Sequence, residues 1–266
     1  MTMIEVEPGV HLFVQDLGEG DPVVLVAGFG QTHEAWDRQV RTLAEAGRRV
    51  IAYDQRGHGR SDKPLRGYEV DQLAADLVAV LDAVKVDRAD LVGWSFGGQV
   101  AFRVAATRPE RVARLVLVGS NAVRASRSEA FPFGLPPEQM LPGLIAVELE
   151  NRFTARRAAI QGGFGTEPRP GVLEWMTAQS LMMPSWATIE CYRSMLETDL
   201  VDDIEKVRHP VVEVIGEDDP VHSARGARWL VERLADSRLV TLPGCGHYPM
   251  FEAAEEFDAA LLAALG

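Results

Sequence analysis

Six short aliphatic runs, spaced along the chain by helical patterns and turns, limit what this sequence can fold into. They are Val23 to Ala27, Arg49 to Asp54, Asp90 to Trp94, Arg114 to Gly119, Pro210 to Gly216 and Arg238 to Leu242. Their interiors hold mostly β-branched and aliphatic residues with little polar alternation. A strand with one wet face alternates, so such runs fit strands covered on both faces. Helical patterns lie between them. Val70 to Val84, for example, puts Leu73, Leu77, Val80, Leu81 and Val84 on one stripe. Strand–helix alternation implies right-handed crossovers and an α/β fold, with a mostly parallel central sheet flanked by helices. A further strand, Val10 to Asp16, precedes the series.

The rhythm stops after Ser120. From Asn121 to about Leu200 no buried strand is visible, seven prolines punctuate the segment, and large apolar residues cluster in helical patches. The expected organisation is a core of residues 1–120 and 201–266, with residues 121–200 inserted as a helical cap. A chain of 266 residues is long enough for one such domain with an insertion.

Charge and cysteine usage exclude some function classes. There are 39 acidic against 27 basic residues, a formal net charge of -12. Nucleic acid and anionic membrane surfaces both demand a basic face, so neither is an expected partner. No stretch approaches the roughly 20 apolar residues of a membrane span. Met1 to Gly9 carries Glu5 and Glu7 rather than an apolar run, which argues against a signal peptide. Cys191 and Cys245 show neither metal-ligand spacing nor a disulfide framework, and free thiols fit a reducing, cytoplasmic compartment. A small-molecule partner remains.

The chemistry concentrates at Gly93-Trp94-Ser95-Phe96-Gly97, where the Asp90 strand meets a helix beginning near Gly97. A sharp strand-to-helix turn strains its central residue and tolerates only small neighbours, which Gly93 and Gly97 supply. Ser95 is thereby lifted clear of the sheet, near the positive end of the following helix. A serine hydroxyl is a weak nucleophile at neutral pH. It needs a base, and the base needs a group that fixes its tautomer. Histidine suits the base because its ordinary pKa lies near the working pH.

Reactive groups of an open α/β sheet sit in loops after the strands. His11 and His209 lie in or before strands and read as structural. His58 reads as ordering its own loop, and His222 as peripheral. His247, in Gly244-Cys245-Gly246-His247-Tyr248-Pro249 directly after the last strand, is the expected base. The acid should follow the Pro210 strand, in Gly216-Glu217-Asp218-Asp219-Pro220. Asp219 is preferred, with Asp218 as the alternative. Acyl transfer also needs amides aimed at the developing oxyanion. The Phe96 amide and the Phe29 amide of Gly28-Phe29-Gly30 are the candidates. Trp94, His33, Trp175, Met182 and Trp186 are the expected pocket residues.

These residues resemble the α/β-hydrolase fold family over nearly the whole chain. The nucleophile–acid–histidine order of Ser95, Asp219 and His247 matches, as do Tyr53-Asp54-Gln55-Arg56-Gly57-His58-Gly59-Arg60-Ser61-Asp62 and Gly246-His247. Ala27 stands where many members carry histidine. Within the family, Ala27 to Trp36, Gly67-Tyr68-Glu69 and Ser194 to Leu200 most resemble the serine esterases grouped with cofactor-free haloperoxidases. That resemblance implies hydrolysis of an apolar ester or lactone through an acyl-serine, without metal or organic cofactor, and a side reaction in which peroxide replaces water. Acyl-homoserine-lactone hydrolysis and carbon–carbon bond hydrolysis also use serine and stay open. So does a ligand-binding protein on the same fold, since fold alone does not decide function.

Overall fold

A computed structural model describes all 266 residues. Eight strands form one sheet in the order β1-β2-β4-β3-β5-β6-β7-β8. They are β1 (Thr2–Glu7), β2 (Val10–Leu17), β3 (Pro22–Val26), β4 (Arg49–Tyr53), β5 (Ala89–Trp94), β6 (Val112–Val118), β7 (Val211–Gly216) and β8 (Ser237–Leu242). The first two strands pair antiparallel, β2 pairs antiparallel with β4, and every later pairing is parallel. Every residue of β5 and β7 is buried, as an apolar run without alternation requires.

The sheet divides the interior into two cores. On one face pack α2 (Val70–Ala83), α3 (Phe96–Thr107) and α7 (Ala224–Val231), burying Leu77, Phe102 and Leu230. On the other pack α1 (Asp37–Glu45) and α8 (Ala254–Leu265), where Trp36 and Phe257 stack at 6.3 Å between ring centroids. Between β6 and β7 the chain leaves the sheet and builds α4 (Pro137–Gln161), α5 (Val172–Leu181) and α6 (Ser185–Glu197). Asn151 is non-helical, so α4 is bent there. One ion pair, Arg156 with Glu148, ties these helices together from inside, with side chains 2% and 1% exposed. The same guanidinium donates to the carbonyls of Ser180 and Met183 and to Thr188 Oγ1, so all its donors are taken. No helix is long and apolar enough to cross a membrane.

The loop from Asp54 to Asp62 acts as a buckle. Asp54 Oδ1 accepts from the His33 backbone N–H and contacts His33 Nδ1 at 2.7 Å, while Oδ2 accepts from the Arg60 N–H. Ser61 Oγ donates to Asp54 O, and Arg56 forms a two-pronged bond to buried Asp76. His58 Nδ1 lies 2.9 Å from Arg56 O, so its role is within the loop.

Candidate active site

Ser95 is the residue between β5 and α3, and its backbone sits at φ 54, ψ -120. For a non-glycine residue that conformation is strained, and it persists only because the surroundings hold it. Ser95 N–H donates to Val118 O of β6, and Ser95 O accepts from Ser120 Oγ at 2.7 Å. The flanking glycines are dictated by contact. A Cβ on Gly97 would stand 2.4 Å from Val26 O, and one on Gly93 would stand 2.5 Å from Gly97 O. Glycine there lets α3 start hard against β3 and β5.

The ends of β7 and β8 bring the other two groups to Ser95. His247 Nε2 lies 2.9 Å from Ser95 Oγ, and His247 Nδ1 lies 2.9 Å from Asp219 Oδ2. All three side chains are buried. Asp219 Oδ1 accepts from the backbone N–H groups of Val221 and His222, which fixes the carboxylate in the turn after β7. Burial opposes ionisation of Asp219, but the charge and hydrogen bond of His247 outweigh it and hold the pKa below its ordinary value. An ionised Asp219 accepts from Nδ1–H, which leaves Nε2 free to take the serine proton. Of the two neighbouring acids, Asp219 makes this contact and Asp218 is exposed. Gly119, at φ 49 after β6, packs so close that a Cβ would stand 3.3 Å from both Asp219 Oδ2 and His247 Nδ1.

The Phe96 amide is at the first position of α3, where no intrahelical acceptor exists. The Phe29 amide, in the loop after β3, also donates to nothing in the protein. That loop abuts the serine, because a Cβ on Gly28 would stand 3.1 Å from Ser95 Cβ. Gln55 Nε2 braces it from behind by donating to Ala27 O.

Ser95 and His247 open into a cavity of about 220 Å³ whose walls are mostly apolar. Met140, Leu144 and Ile160 of α4 and Tyr192 and Met195 of α6 supply much of the apolar wall, with Phe29 and Val221 from loops after β3 and β7. Trp94 also lines it and donates its indole N–H to His247 O at 3.0 Å. Four expected pocket residues lie elsewhere. Met182 and Trp186 are 43% and 48% exposed and line no part of this cavity. Trp175 packs on Phe251 at 5.8 Å, and His33 is engaged with Asp54. Both line a separate groove of about 690 Å³ that contains none of Ser95, His247 and Asp219. Although larger, that groove does not include Ser95.

His222 was the residue misjudged from the sequence. It is not peripheral: its ring lies 5.5 Å from that of His247 and its N–H anchors Asp219. Burial first, and the neighbouring His247 second, lower its pKa to about 4. Its place three residues after the acid was the available signal. No group of three or more His, Cys, Asp or Glu side chains is arranged to hold a metal ion.

Comparison with known proteins identifies the family. The family model described as alpha/beta hydrolase fold matches residues 21–254. The chain is 33% identical over 278 residues to the non-heme chloroperoxidase of Streptomyces lividans, covering 99% of each. Among solved structures it is similar to an esterase from Exiguobacterium antarcticum, at TM-score 0.95 and 27% identity over 98% of each chain. It is also similar to a bromoperoxidase from Bacillus anthracis, at TM-score 0.94 and 27% identity over 99% of each. The chain is a hydrolase and belongs to the alpha/beta hydrolase fold family.

Proposed function

We propose that this protein cleaves a small or medium apolar carboxylic ester or lactone through an acyl-serine intermediate. The observation that carries the reading is the Ser95–His247–Asp219 chain of contacts, both at 2.9 Å, at the floor of an apolar cavity. His247 Nε2 takes the Ser95 proton as Oγ attacks the carbonyl carbon. The Phe29 and Phe96 amides hold the oxyanion, each worth about 10²–10³ in rate by comparison with other hydrolases. His247 then gives its proton to the departing oxygen. Water enters by the same route in reverse and releases the acid.

The similarity to a protein named as an esterase supports ester hydrolysis. The cavity favours an uncharged substrate, because its one cation, Arg156, is already matched by Glu148. In this reading residues 121–200 form a cap that shapes the acyl and alcohol pockets, and the two buried free thiols suit the cytoplasm. The test is a panel of nitrophenyl esters and lactones of increasing chain length, assayed with the native protein and Ser95→Ala. Turnover of short uncharged members that disappears in the variant supports the reading. Equal turnover by both proteins, or preference for carboxylated substrates, contradicts it.

A further inference from the structure

Two phenols line the Ser95 cavity, and neither hydroxyl has a partner in the protein. They belong to Tyr192 on α6 and to Tyr248 beside His247, and both residues are buried. The remaining tyrosines behave differently. Tyr68 donates to Pro64 O at 2.6 Å, and the Tyr53 hydroxyl is sealed in the core. The Tyr192 hydroxyl is not sealed, so it faces the cavity as an uncommitted donor. Buried polar groups are normally paired, and a cavity-facing hydroxyl left unpaired is paired by what enters.

Position says which end of a ligand Tyr192 meets. The leaving oxygen must lie at His247 Nε2, which protonates it. Trp94 and Tyr248 pack against His247, at 5.9 and 5.4 Å between ring centroids. Tyr192 instead packs on Phe29, at 4.7 Å and 30°. It therefore borders the side away from the leaving group, where the acyl part lies. Beyond it stand Glu148 and Arg156, whose charges cancel. Burial, with Glu148, pushes the Tyr192 pKa up to about 12, so the phenol keeps its proton. The tip of Tyr248 abuts backbone, since a Cβ on Gly163 would stand 2.6 Å from its oxygen.

We propose that Tyr192 is a specificity residue whose phenol donates a hydrogen bond to an uncharged oxygen, keto or ether, in the acyl part of the substrate. The proposal rests on the acyl-serine reading above. It predicts that oxygenated acyl esters are preferred over plain alkyl ones.

The experiment compares methyl hexanoate with its 3-, 4- and 5-oxo analogues. At least one analogue should exceed the parent in kcat/KM by roughly two- to ten-fold, the range of one neutral hydrogen bond. Tyr192→Phe should erase that preference, bringing the kcat/KM of the favoured oxo analogue down to the level of methyl hexanoate measured with the same variant, and Tyr248→Phe should keep it. The same esters titrated calorimetrically into Ser95→Ala, with and without Tyr192→Phe, should give the same ratio in Kd. No preference for any analogue, or a preference that survives Tyr192→Phe, overturns the assignment. Absence of turnover by the native protein would instead remove the esterase reading, and the binding ratio would still decide the role of Tyr192.

Discussion

Glu213 stands in the middle of β7, fully buried, on the face shared with α3 and α7. Its Oε1 accepts from the Ser120 N–H at 3.3 Å, and its Oε2 has no partner. Burial pushes its pKa well above the ordinary 4.5, Asp219 pushes the same way, and the Ser120 bond only partly opposes them. The folded protein therefore keeps a proton that the unfolded chain releases. A carboxyl raised in this way leaves stability intact below the ordinary pKa and erodes it as pH climbs towards the folded value. The slope is about 1.4 kcal/mol per pH unit. The loss begins above the ordinary carboxylate value and accumulates until the folded value is reached. Glu213→Gln removes the titration yet keeps an acceptor for Ser120. Urea unfolding followed by tryptophan fluorescence should show the variant gaining on the native protein as pH rises above the ordinary carboxylate range. A stability difference that stays constant with pH would refute the reasoning.

Four further outcomes follow from other contacts. Asp219→Asn should lower kcat by about 10⁴ through the wrong histidine tautomer, while exposed Asp218→Asn leaves ester turnover unchanged. Arg156→Met strands Glu148 in the interior and should cost about 3–5 kcal/mol in thermal or urea unfolding, with the Glu148→Met, Arg156→Met double variant costing less. His222 has a folded pKa lowered to about 4, so it stays neutral while the unfolded chain takes up a proton. Stability should fall from about pH 6.5 down to pH 4, by on the order of 3 kcal/mol, and His222→Gln should flatten that fall in pH-dependent unfolding. Gly97→Ala forces a methyl to within 2.4 Å of Val26 O, and esterase activity should drop steeply even where circular dichroism shows a folded protein.

The central sheet was legible because strands buried on both faces are uninterrupted apolar runs, as β3 through β7 largely are, whereas β8, at the sheet edge, is an apolar run that stays mostly half-buried. The edge hairpin was half missed. Its outer strand, Thr2–Glu7, alternates with Glu5 and Glu7 and keeps most of its residues partly wet, so no apolar run marks it. Ser95 and His247 were legible from glycine-flanked loops at strand ends. The sequence left Asp218 and Asp219 open because the choice depends on a turn in which Asp219 also accepts two backbone N–H groups. The pocket was the least legible part. Apolar residues in a helical insertion are visible, but their facing is not, and the bend at Asn151 breaks the register of α4. Trp186 and Met182 thus face outward while Met140, Leu144 and Tyr192 face the serine.

The most direct test of the acyl-serine account is covalent trapping. Purified protein treated with a fluorophosphonate should carry a single adduct on Ser95, located by peptide mass spectrometry. Labelling should vanish in Ser95→Ala and slow markedly in His247→Ala, because the base activates the hydroxyl. Folded native protein that takes up no label, or that takes it up elsewhere, would contradict the account.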